Sequence, residues 1–364
     1  MLSIFSSYNG RVETTEVIVA GGGIIGLSTA LELARHGFRV RVLEKGRAMS
    51  EASWAAAGML SPHDPAHPPA LAKLAEPSIR LYPKYLSTVE ALSGRSVRLR
   101  TQAAISTDEE DGTSVAMSAQ EAQRRIPGLA TEGRSFHWVE EVSLDPRDLC
   151  AALPLAVTAA GVVLQEGTEV LAARSQADSV EITTSRGTVS AGAFVNCSGA
   201  WAAGIQHPDL QRPPAAGVEP WKGQIFTVQV KPPLDLAYVL RSPEVYLVPR
   251  GGGNIVVGAT VERVGFDRRV DPLTIQRLQA QAAGLWPPIA SAPVVESWTG
   301  LRPGTIDGLP VIGSAGRPRC WVATGHFRNG ILLAPATGLI VRQLLEGSPP
   351  AVGLEAFAPG RPSK

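Results

Sequence analysis

The chain has 364 residues, of which 44% are hydrophobic and 18% are charged, as is typical of a globular protein of about two domains. Its formal net charge of +1 provides no electrostatic footprint for nucleic acid or an anionic membrane surface, which argues against both partners. No apolar stretch approaches the ~18 residues of a membrane-spanning helix, and the N-terminal stretch MLSIFSSYNGRVETT lacks the pattern of a secretory signal.

The first predicted elements form a strand, a turn, a helix and a second strand over residues 16–46. A β-branched run, EVIVA, leads into GGG, and the apolar residues of IIGLSTALELARHG then recur at helical spacing. FRVRVLEKG follows with the alternation of a strand. This order predicts one βαβ unit.

The middle of the chain mixes helical and strand patterns. Residues 47–82 are rich in Ala, Ser and Pro and include a loop at SPHDPAHPP. VRLRTQAAIST is strand-like, whereas SAQEAQRRIPG and DPRDLCAALPLAVTAAG are typical of helices. Residues 217–263 contain alternating strands separated by Gly/Pro turns. A helix is predicted over 271–284, and the tail returns to a strand, CWVATG, and a helix over about 331–346.

These patterns predict an α/β fold in which a doubly wound, Rossmann-like domain is interrupted by a second domain with a mixed or antiparallel β-sheet. The Rossmann-like domain would comprise residues 12–82, 143–212 and 298–364. The inserted domain would comprise residues 83–142 and 213–297.

The cysteines and histidines point away from a metal site. Cys150, Cys197 and Cys320 lie far apart without a CxxC pair, which argues against a disulfide framework or a thiolate zinc site. His63 and His67 have the spacing of helical ligands, but the prolines around them favour a loop. We therefore expect a cytoplasmic protein without a metal site.

A glycine-rich motif joins the first strand to the first helix. Gly21, Gly23 and Gly26 form GxGxxG, which permits a tight turn and lets a helix N-terminus approach a pyrophosphate. Glu44 ends the second strand about 20 residues further on, where a ribose hydroxyl needs an acceptor. The motif predicts a dinucleotide site and leaves NAD and FAD open.

Four further stretches carry a resemblance to a known family. They are AAAGM, VYLVPRGGGNIVVGAT, WTGLRPGTIDGLPVIG and ATGHFRNGILLAPATG. At these stretches the chain resembles the FAD-dependent glycine oxidases of thiamine biosynthesis, in the D-amino acid oxidase and sarcosine oxidase superfamily. The resemblance runs from about residue 16 to 345 and is weaker between residues 60 and 140. It implies that the Rossmann-like domain binds FAD and that the inserted domain binds substrate.

The resemblance also implies how FAD is held. The helix after CWVATG would aim its N-terminus at the part of the flavin that gains negative charge on reduction. Monomeric sarcosine oxidases carry a flavin-linked cysteine near GLRPGT, and its absence here implies noncovalent FAD. His326 is interpreted either as a pocket residue or as a structural histidine. The residues predicted to contact FAD are Gly21, Gly23, Ile24, Ile25, Gly26, Glu44, Lys45, Ala56, Ala57, Gly58, Met59, Val170, Ser198, Gly199, His326, Arg328, Asn329, Gly330, Ile331 and Leu332.

Three residues are predicted to be catalytic. Arg302 and Tyr246 match the family residues that hold the substrate carboxylate, and Arg328 matches one that adds positive charge nearby. A planar guanidinium suits a carboxylate because it can donate two parallel hydrogen bonds. The alternative is that either arginine pairs with a local carboxylate such as Asp307 or Glu296.

The implied reaction is oxidative deamination of glycine to glyoxylate, ammonia and hydrogen peroxide, with sarcosine and small D-amino acids as further candidate substrates. The imine of glycine would supply thiazole synthesis. Relatives also imply a homo-oligomer, with a tetramer as one form. The alternatives are a D-amino acid or sarcosine dehydrogenase that uses an acceptor other than oxygen, a nicotinamide-dependent dehydrogenase, and a non-catalytic FAD-binding protein.

Overall fold

The computed structural model describes residues 16–107 and 114–361, so residues 12–15, 108–113 and 362–364 of the predicted domains lie outside it. Its strands are β1 (Glu16–Ala20), β2 (Arg39–Leu43), β3 (Met59–Leu60), β4 (Leu99–Thr101), β5 (Ala104–Ser106), β6 (Ser114–Met117), β7 (Phe136–Val139), β8 (Val142–Leu144), β9 (Val163–Gln165), β10 (Val170–Ser175), β11 (Val180–Thr184), β12 (Gly187–Ala191), β13 (Ala193–Asn196), β14 (Glu219–Gln229), β15 (Val239–Arg241), β16 (Tyr246–Gly251), β17 (Asn254–Gly258), β18 (Val294–Gly304), β19 (Val311–Ser314) and β20 (Cys320–Thr324). Its helices are α1 (Ile24–Arg35), α2 (Ala52–Ala55), α3 (Ala72–Ser93), α4 (Ala119–Arg125), α5 (Pro146–Ala159), α6 (Pro272–Leu285) and α7 (Gly330–Glu346).

The first sheet has the strand order β19-β20-β13-β1-β2-β9 and is parallel except for the edge strand β19. Val17, Ile18 and Val19 of β1 are completely buried, as expected for a parallel strand covered on both faces. Helix α1 connects β1 to β2 and packs against α5 and α7. The predicted Rossmann-like βαβ unit is therefore confirmed.

The second large sheet has the strand order β18-β14-β17-β16-β15-β5-β7-β6 and is antiparallel except for the β15–β5 pair. Phe226 and Leu247 on one face share an apolar core with residues of α4 and α6. Ile225, Val248 and Trp298 on the other face pack against α2 and the segment that follows it. The predicted mixed sheet is thus present, and its second face is turned toward the first domain.

The strand-like stretch VRLRTQAAIST forms two strands rather than one. β4 pairs with β8 in a small sheet, whereas β5 enters the large mixed sheet between β15 and β7. A single alternating pattern cannot indicate that the chain changes sheets between Thr101 and Ala104, because each short strand meets a partner that is distant in sequence.

Helix α3 is not predicted by the sequence patterns. Pro77 and Pro83 lie inside it, and a proline removes one backbone donor and disfavours a helix interior. Tertiary packing outweighs this local preference, because α3 lies against α5 and α7 and buries Tyr82 and Val89 in the first core. The predicted domain boundary after residue 82 falls within this helix, and we propose that the first division lies beyond residue 93.

Helix α3 also holds the N-terminal part of α7. Pro335 lies in the second turn of α7 and lacks the N–H that would bond to the carbonyl of Ile331. The hydroxyl of Tyr82 donates to that carbonyl, and Ser78 Oγ donates to the Leu332 carbonyl at 2.7 Å. Side chains of α3 therefore replace the hydrogen bond that the proline removes and fix the position of the α7 terminus.

Candidate active site

An elongated cavity begins at the carboxyl ends of β1, β2 and β13 and reaches the N-terminus of α7 and the end of β18. This is the edge at which open α/β sheets bind ligands. The predicted site residues that line the cavity are Gly21, Gly23, Ile24, Ile25, Glu44, Lys45, Ala56, Val170, Ser198, Gly199, Arg302, His326, Arg328, Gly330 and Ile331.

The other predicted site residues lie outside the cavity lining, and several of them support it. A Cβ at Gly26 would collide with the carbonyl of Gly21, so this glycine brings the first turn of α1 close to the loop. A Cβ at Gly58 would collide with the Leu144 carbonyl, and Gly58 also has a φ of +79°. The residues outside the lining are Gly26, Ala57, Gly58, Met59, Tyr246, Asn329 and Leu332.

The glycine-rich loop is held by an acid at the end of the second strand. Glu44 is buried, and its two carboxylate oxygens accept the N–H groups of Gly22 and Gly46, each at 2.7 Å. Each oxygen keeps a further lone pair for a hydroxyl donor. Ile24, at the start of α1, donates its N–H to Ser53 Oγ at 2.9 Å. This end of the cavity therefore offers a hydroxyl acceptor and a helix N-terminus, which are the groups that a dinucleotide needs.

The other end of the cavity is formed by the start of α7. The side chain of Asn329 makes no capping hydrogen bond there, and the cavity is lined by Gly330 and Ile331. His326 is buried, and its Nε2 lies 3.0 Å from Thr337 Oγ1, whereas its Nδ1 has no partner among the described residues. Burial lowers the pKa of His326 to about 3, so the ring is neutral. His326 therefore fits both interpretations, because it lines the pocket and also makes a hydrogen bond to Thr337 of α7.

Arg302 is a half-buried cation in the cavity wall. Its Nη1 donates to the carbonyl of Thr260 at 2.9 Å, and no carboxylate of the described residues lies within 4.0 Å of its nitrogens. Burial lowers the pKa of Arg302, and the neighbouring phenol of Tyr246 opposes this shift. Burial also raises the pKa of Tyr246, with Arg302 opposing, so the phenol stays protonated. A desolvated cation beside a phenol donor is suited to an anionic ligand.

The alternative, in which Arg302 or Arg328 pairs with Asp307 or Glu296, is contradicted by the structure. Asp307 pairs with Arg361 at 2.7 Å, and Glu296 pairs with Arg147 at 2.9 Å. The side chain of Arg328 is exposed at the cavity. Its position at the mouth of an apolar helix is therefore compatible with its charge because the guanidinium reaches solvent.

Phe327 and Trp201 also line the cavity, although neither is among the predicted site residues. Phe327 has a φ of +46°, which is strained for a residue with a side chain. Lys45 Nζ lies 3.3 Å from the Trp201 ring centroid, and the ring of Phe266 stacks on Trp201 at 5.4 Å. Arg268 forms an ion pair with Glu51 nearby.

We call residues 262–270 the strap, because this segment leaves the mixed sheet and contacts the first domain at the cavity rim. Thr299 Oγ1 of β18 donates to the carbonyl of Arg268 at 2.9 Å and holds the strap from the sheet side. Sequence patterns gave no signal for these contacts, since the strap and Trp201 are distant in the chain.

Comparison with known proteins identifies the family. A family model described as FAD dependent oxidoreductase matches residues 16–344. The chain belongs to this family. The glycine oxidase of Geobacillus kaustophilus is 36% identical over 366 aligned residues, covering 94% of this chain and 96% of that protein. Its crystal structure superimposes with a TM-score of 0.89 and covers 96% of this chain and 99% of its own. The bifunctional protein ThiO/ThiG of Synechocystis sp. is 33% identical, covering 96% of this chain and 54% of that protein.

The comparisons confirm the predicted resemblance to glycine oxidases, the fold class and FAD as the cofactor. The residues present fit this cofactor. Glu44 and the start of α1 suit a ribose and a pyrophosphate, whereas the start of α7 and the unpartnered Nδ1 of His326 suit the polar edge of a flavin. Among the described residues, no helix is long and apolar enough to cross a bilayer.

Proposed function

We propose that this protein catalyses the FAD-dependent oxidative deamination of glycine. Glycine, oxygen and water would give glyoxylate, ammonia and hydrogen peroxide. The observation that carries the proposal is Arg302, a half-buried cation in the wall of the cofactor cavity that pairs with no carboxylate of the described residues. A small amino acid supplies the missing carboxylate, and its α-carbon then lies at the flavin end of the cavity.

The side chains supply position and charge for this reaction. Arg302 donates to the substrate carboxylate, Tyr246 adds a phenol donor, and Arg328 contributes positive charge from the exposed side of the cavity. When bound, FAD supplies the acceptor for the hydride that leaves the α-carbon. The N-terminus of α7 favours the negative charge that develops at this end, whereas the ring of His326 is neutral and adds no charge of its own.

The names of the relatives support glycine as substrate and thiamine biosynthesis as context. In that context the imine of glycine is the product that thiazole synthesis consumes. Sarcosine and small D-amino acids share the carboxylate and the α-amine and stay candidate substrates. Turnover of glycine, sarcosine, D-alanine and D-proline under the same conditions ranks them.

The test is anaerobic reduction of the purified holoprotein. Glycine should bleach the visible flavin bands without oxygen, and admission of air should restore them with one hydrogen peroxide per glyoxylate. Flavin that no amino acid reduces would overturn the proposal. Reduction by glycine without peroxide on aeration would favour the alternative, a dehydrogenase with another electron acceptor.

Three further properties belong to the proposal. The flavin is noncovalent, so acid precipitation of the protein should release it into the supernatant. Cys150, Cys197 and Cys320 are free thiols, which supports a cytoplasmic location. A homo-oligomer, with a tetramer as one form, is tested by light scattering of the holoprotein.

A further inference from the structure

The two residues of the proposed carboxylate site come from strands that are not neighbours in the sheet. Arg302 lies on β18 and Tyr246 on β16, and β14 and β17 lie between them. Arg302 is opposite Trp221 of β14, and Gly223 lies two residues further along on the same face. Tyr246 is opposite Gly258 of β17. The two side chains therefore approach each other across two intervening strands.

Each intervening strand has a glycine beneath one of these side chains. A Cβ added to Gly223 would collide with the guanidinium nitrogens of Arg302. A Cβ added to Gly258 would lie 2.6 Å from the hydroxyl oxygen of Tyr246 and 2.7 Å from its Cζ. Real Cβ atoms essentially never approach other atoms this closely. The guanidinium and the phenol thus lie against the sheet directly over Gly223 and Gly258, in space that a side chain at either position would fill. We call this space above Gly223 and Gly258 the trough.

A positive φ is not the reason for glycine at these two positions. Neither Gly223 nor Gly258 has the positive φ that favours glycine, whereas Gly251, the last residue of β16, does. Glycine in the interior of a strand weakens it, because it has no side chain to pack and its unfolded state is more flexible. The close approach of Arg302 and Tyr246 leaves no room for a Cβ at either position.

We propose that Gly223 and Gly258 are positioning residues that set the depth and orientation of the Arg302–Tyr246 pair, and thereby the affinity for the carboxylate of the substrate. This inference rests on the proposed function, because it assumes that the pair binds a carboxylate. A methyl group at either position lifts one side chain off the sheet, so that its donor no longer points to the same ligand atom as its partner.

The experiment compares Gly223→Ala and Gly258→Ala with Gly217→Ala as the matched control. Gly217 precedes β14, is exposed, and has no atom within 4 Å of an added Cβ. The probe is glycolate, an analogue of glycine with a hydroxyl in place of the amine, and its dissociation constant is read from the flavin absorbance. Both test variants should bind glycolate on the order of 10-fold more weakly and raise the KM for glycine by a similar factor. FAD content and Tm report whether each variant is folded.

A double-mutant cycle separates the inference from a general packing defect. In a Tyr246→Ala background the added methyl at position 258 meets no ring, so Gly258→Ala should change the glycolate affinity by less than about 2-fold. Gly223→Ala should likewise become neutral in an Arg302→Ala background. If both glycine variants bind glycolate like the wild type, or if their effects persist in these backgrounds, the inference is overturned.

The failure of the proposed function is a different result. In that case the wild-type flavin spectrum responds neither to glycolate nor to any amino acid. If the wild type binds glycolate and the Gly223 and Gly258 variants bind it equally well, only the inference about the trough is overturned. If one glycine variant loses FAD or fails to fold, the other variant is used instead. One glycine variant and its double-mutant cycle are sufficient to test the inference.

Discussion

The two ends of the cavity are built in different ways. The dinucleotide end is built mainly from one short segment: the loop after β1, the start of α1 and Glu44 all lie within residues 16–46, and Ser53 and the residues after β13 complete it. The carboxylate end combines β14, β16, β17 and β18, which span residues 219–304, with the start of α7. A short segment determines the first end through backbone conformation, whereas the second end depends on how separate strands pair.

Because the two ends are built differently, we expect substitutions at each end to have different effects. A site built mainly from one segment fails when the backbone of that segment cannot adopt the required turn. A site assembled from four strands fails when any one of the contributing positions changes shape. We therefore expect substitutions at the first end to abolish cofactor binding, and substitutions at the second to change substrate affinity while FAD stays bound.

The largest effect is expected for Gly21→Ala. Gly21 has a φ of +102°, and an added Cβ would lie 2.5 Å from the carbonyl oxygen of Cys197. We expect FAD affinity to fall by on the order of 100-fold or more, because the loop must move away from its ligand. Gly37→Ala is the control, since Gly37 has a φ of +87° but nothing within 4 Å of an added Cβ. It should lose about 1 kcal/mol of stability and keep FAD. Equal FAD content in the two variants would contradict the distinction between the ends.

Arg302→Ala should change substrate affinity with FAD still bound. Loss of a charge-assisted hydrogen bond to a carboxylate is worth roughly 2–3 kcal/mol, so the KM for glycine should rise about 30- to 150-fold. Arg269→Ala, at a side chain that is 88% exposed, serves as the control and should leave the KM unchanged. An unchanged apparent affinity of the Arg302 variant for glycine would remove the carboxylate assignment.

Tyr82→Phe tests whether the start of α7 depends on a distant partner. The hydroxyl of Tyr82 donates to the Ile331 carbonyl, which Pro335 leaves without its usual partner. Because this leaves a buried acceptor unsatisfied, unfolding free energy should fall by roughly 1–3 kcal/mol in denaturant titrations. Tyr238→Phe, at a half-buried tyrosine, should lie within about 0.5 kcal/mol of wild type. Equal stability of the two variants would show that α7 does not need the hydroxyl.

The smallest effect is expected for Phe266→Ala in the strap. Its ring stacks on Trp201, which lines the cavity, and such aromatic pairs contribute roughly 0.5–1.5 kcal/mol beyond their area. The dissociation rate of FAD, followed by the recovery of flavin fluorescence, should increase about 2- to 10-fold. Val264→Ala, at a strap residue that is 46% exposed, should leave the rate unchanged. A rate that is insensitive to Phe266 would indicate that the strap does not retain the cofactor.

The local features of the fold were predictable, and features that depend on distant partners were not. The unit of β1, α1 and β2 follows from periodicity and glycine positions, and α5, α6 and α7 begin and end close to the predicted residues. Helix α3 escaped prediction because Pro77 and Pro83 oppose it locally, while α5 and α7 stabilise it. VRLRTQAAIST was predicted as strand, but its division between two sheets depends on β8 and β15.

The sequence by itself determined the dinucleotide motif, the class of the fold and, through family resemblance, the residues proposed to bind FAD and the carboxylate. Tertiary structure decided that Arg328 reaches solvent and that Asp307 and Glu296 already have partners. It also brought Gly223 and Gly258 beneath the proposed carboxylate pair. The physical reason is that periodicity and backbone preference act over a few residues, whereas the space around a side chain is set by strands that pair across the sheet.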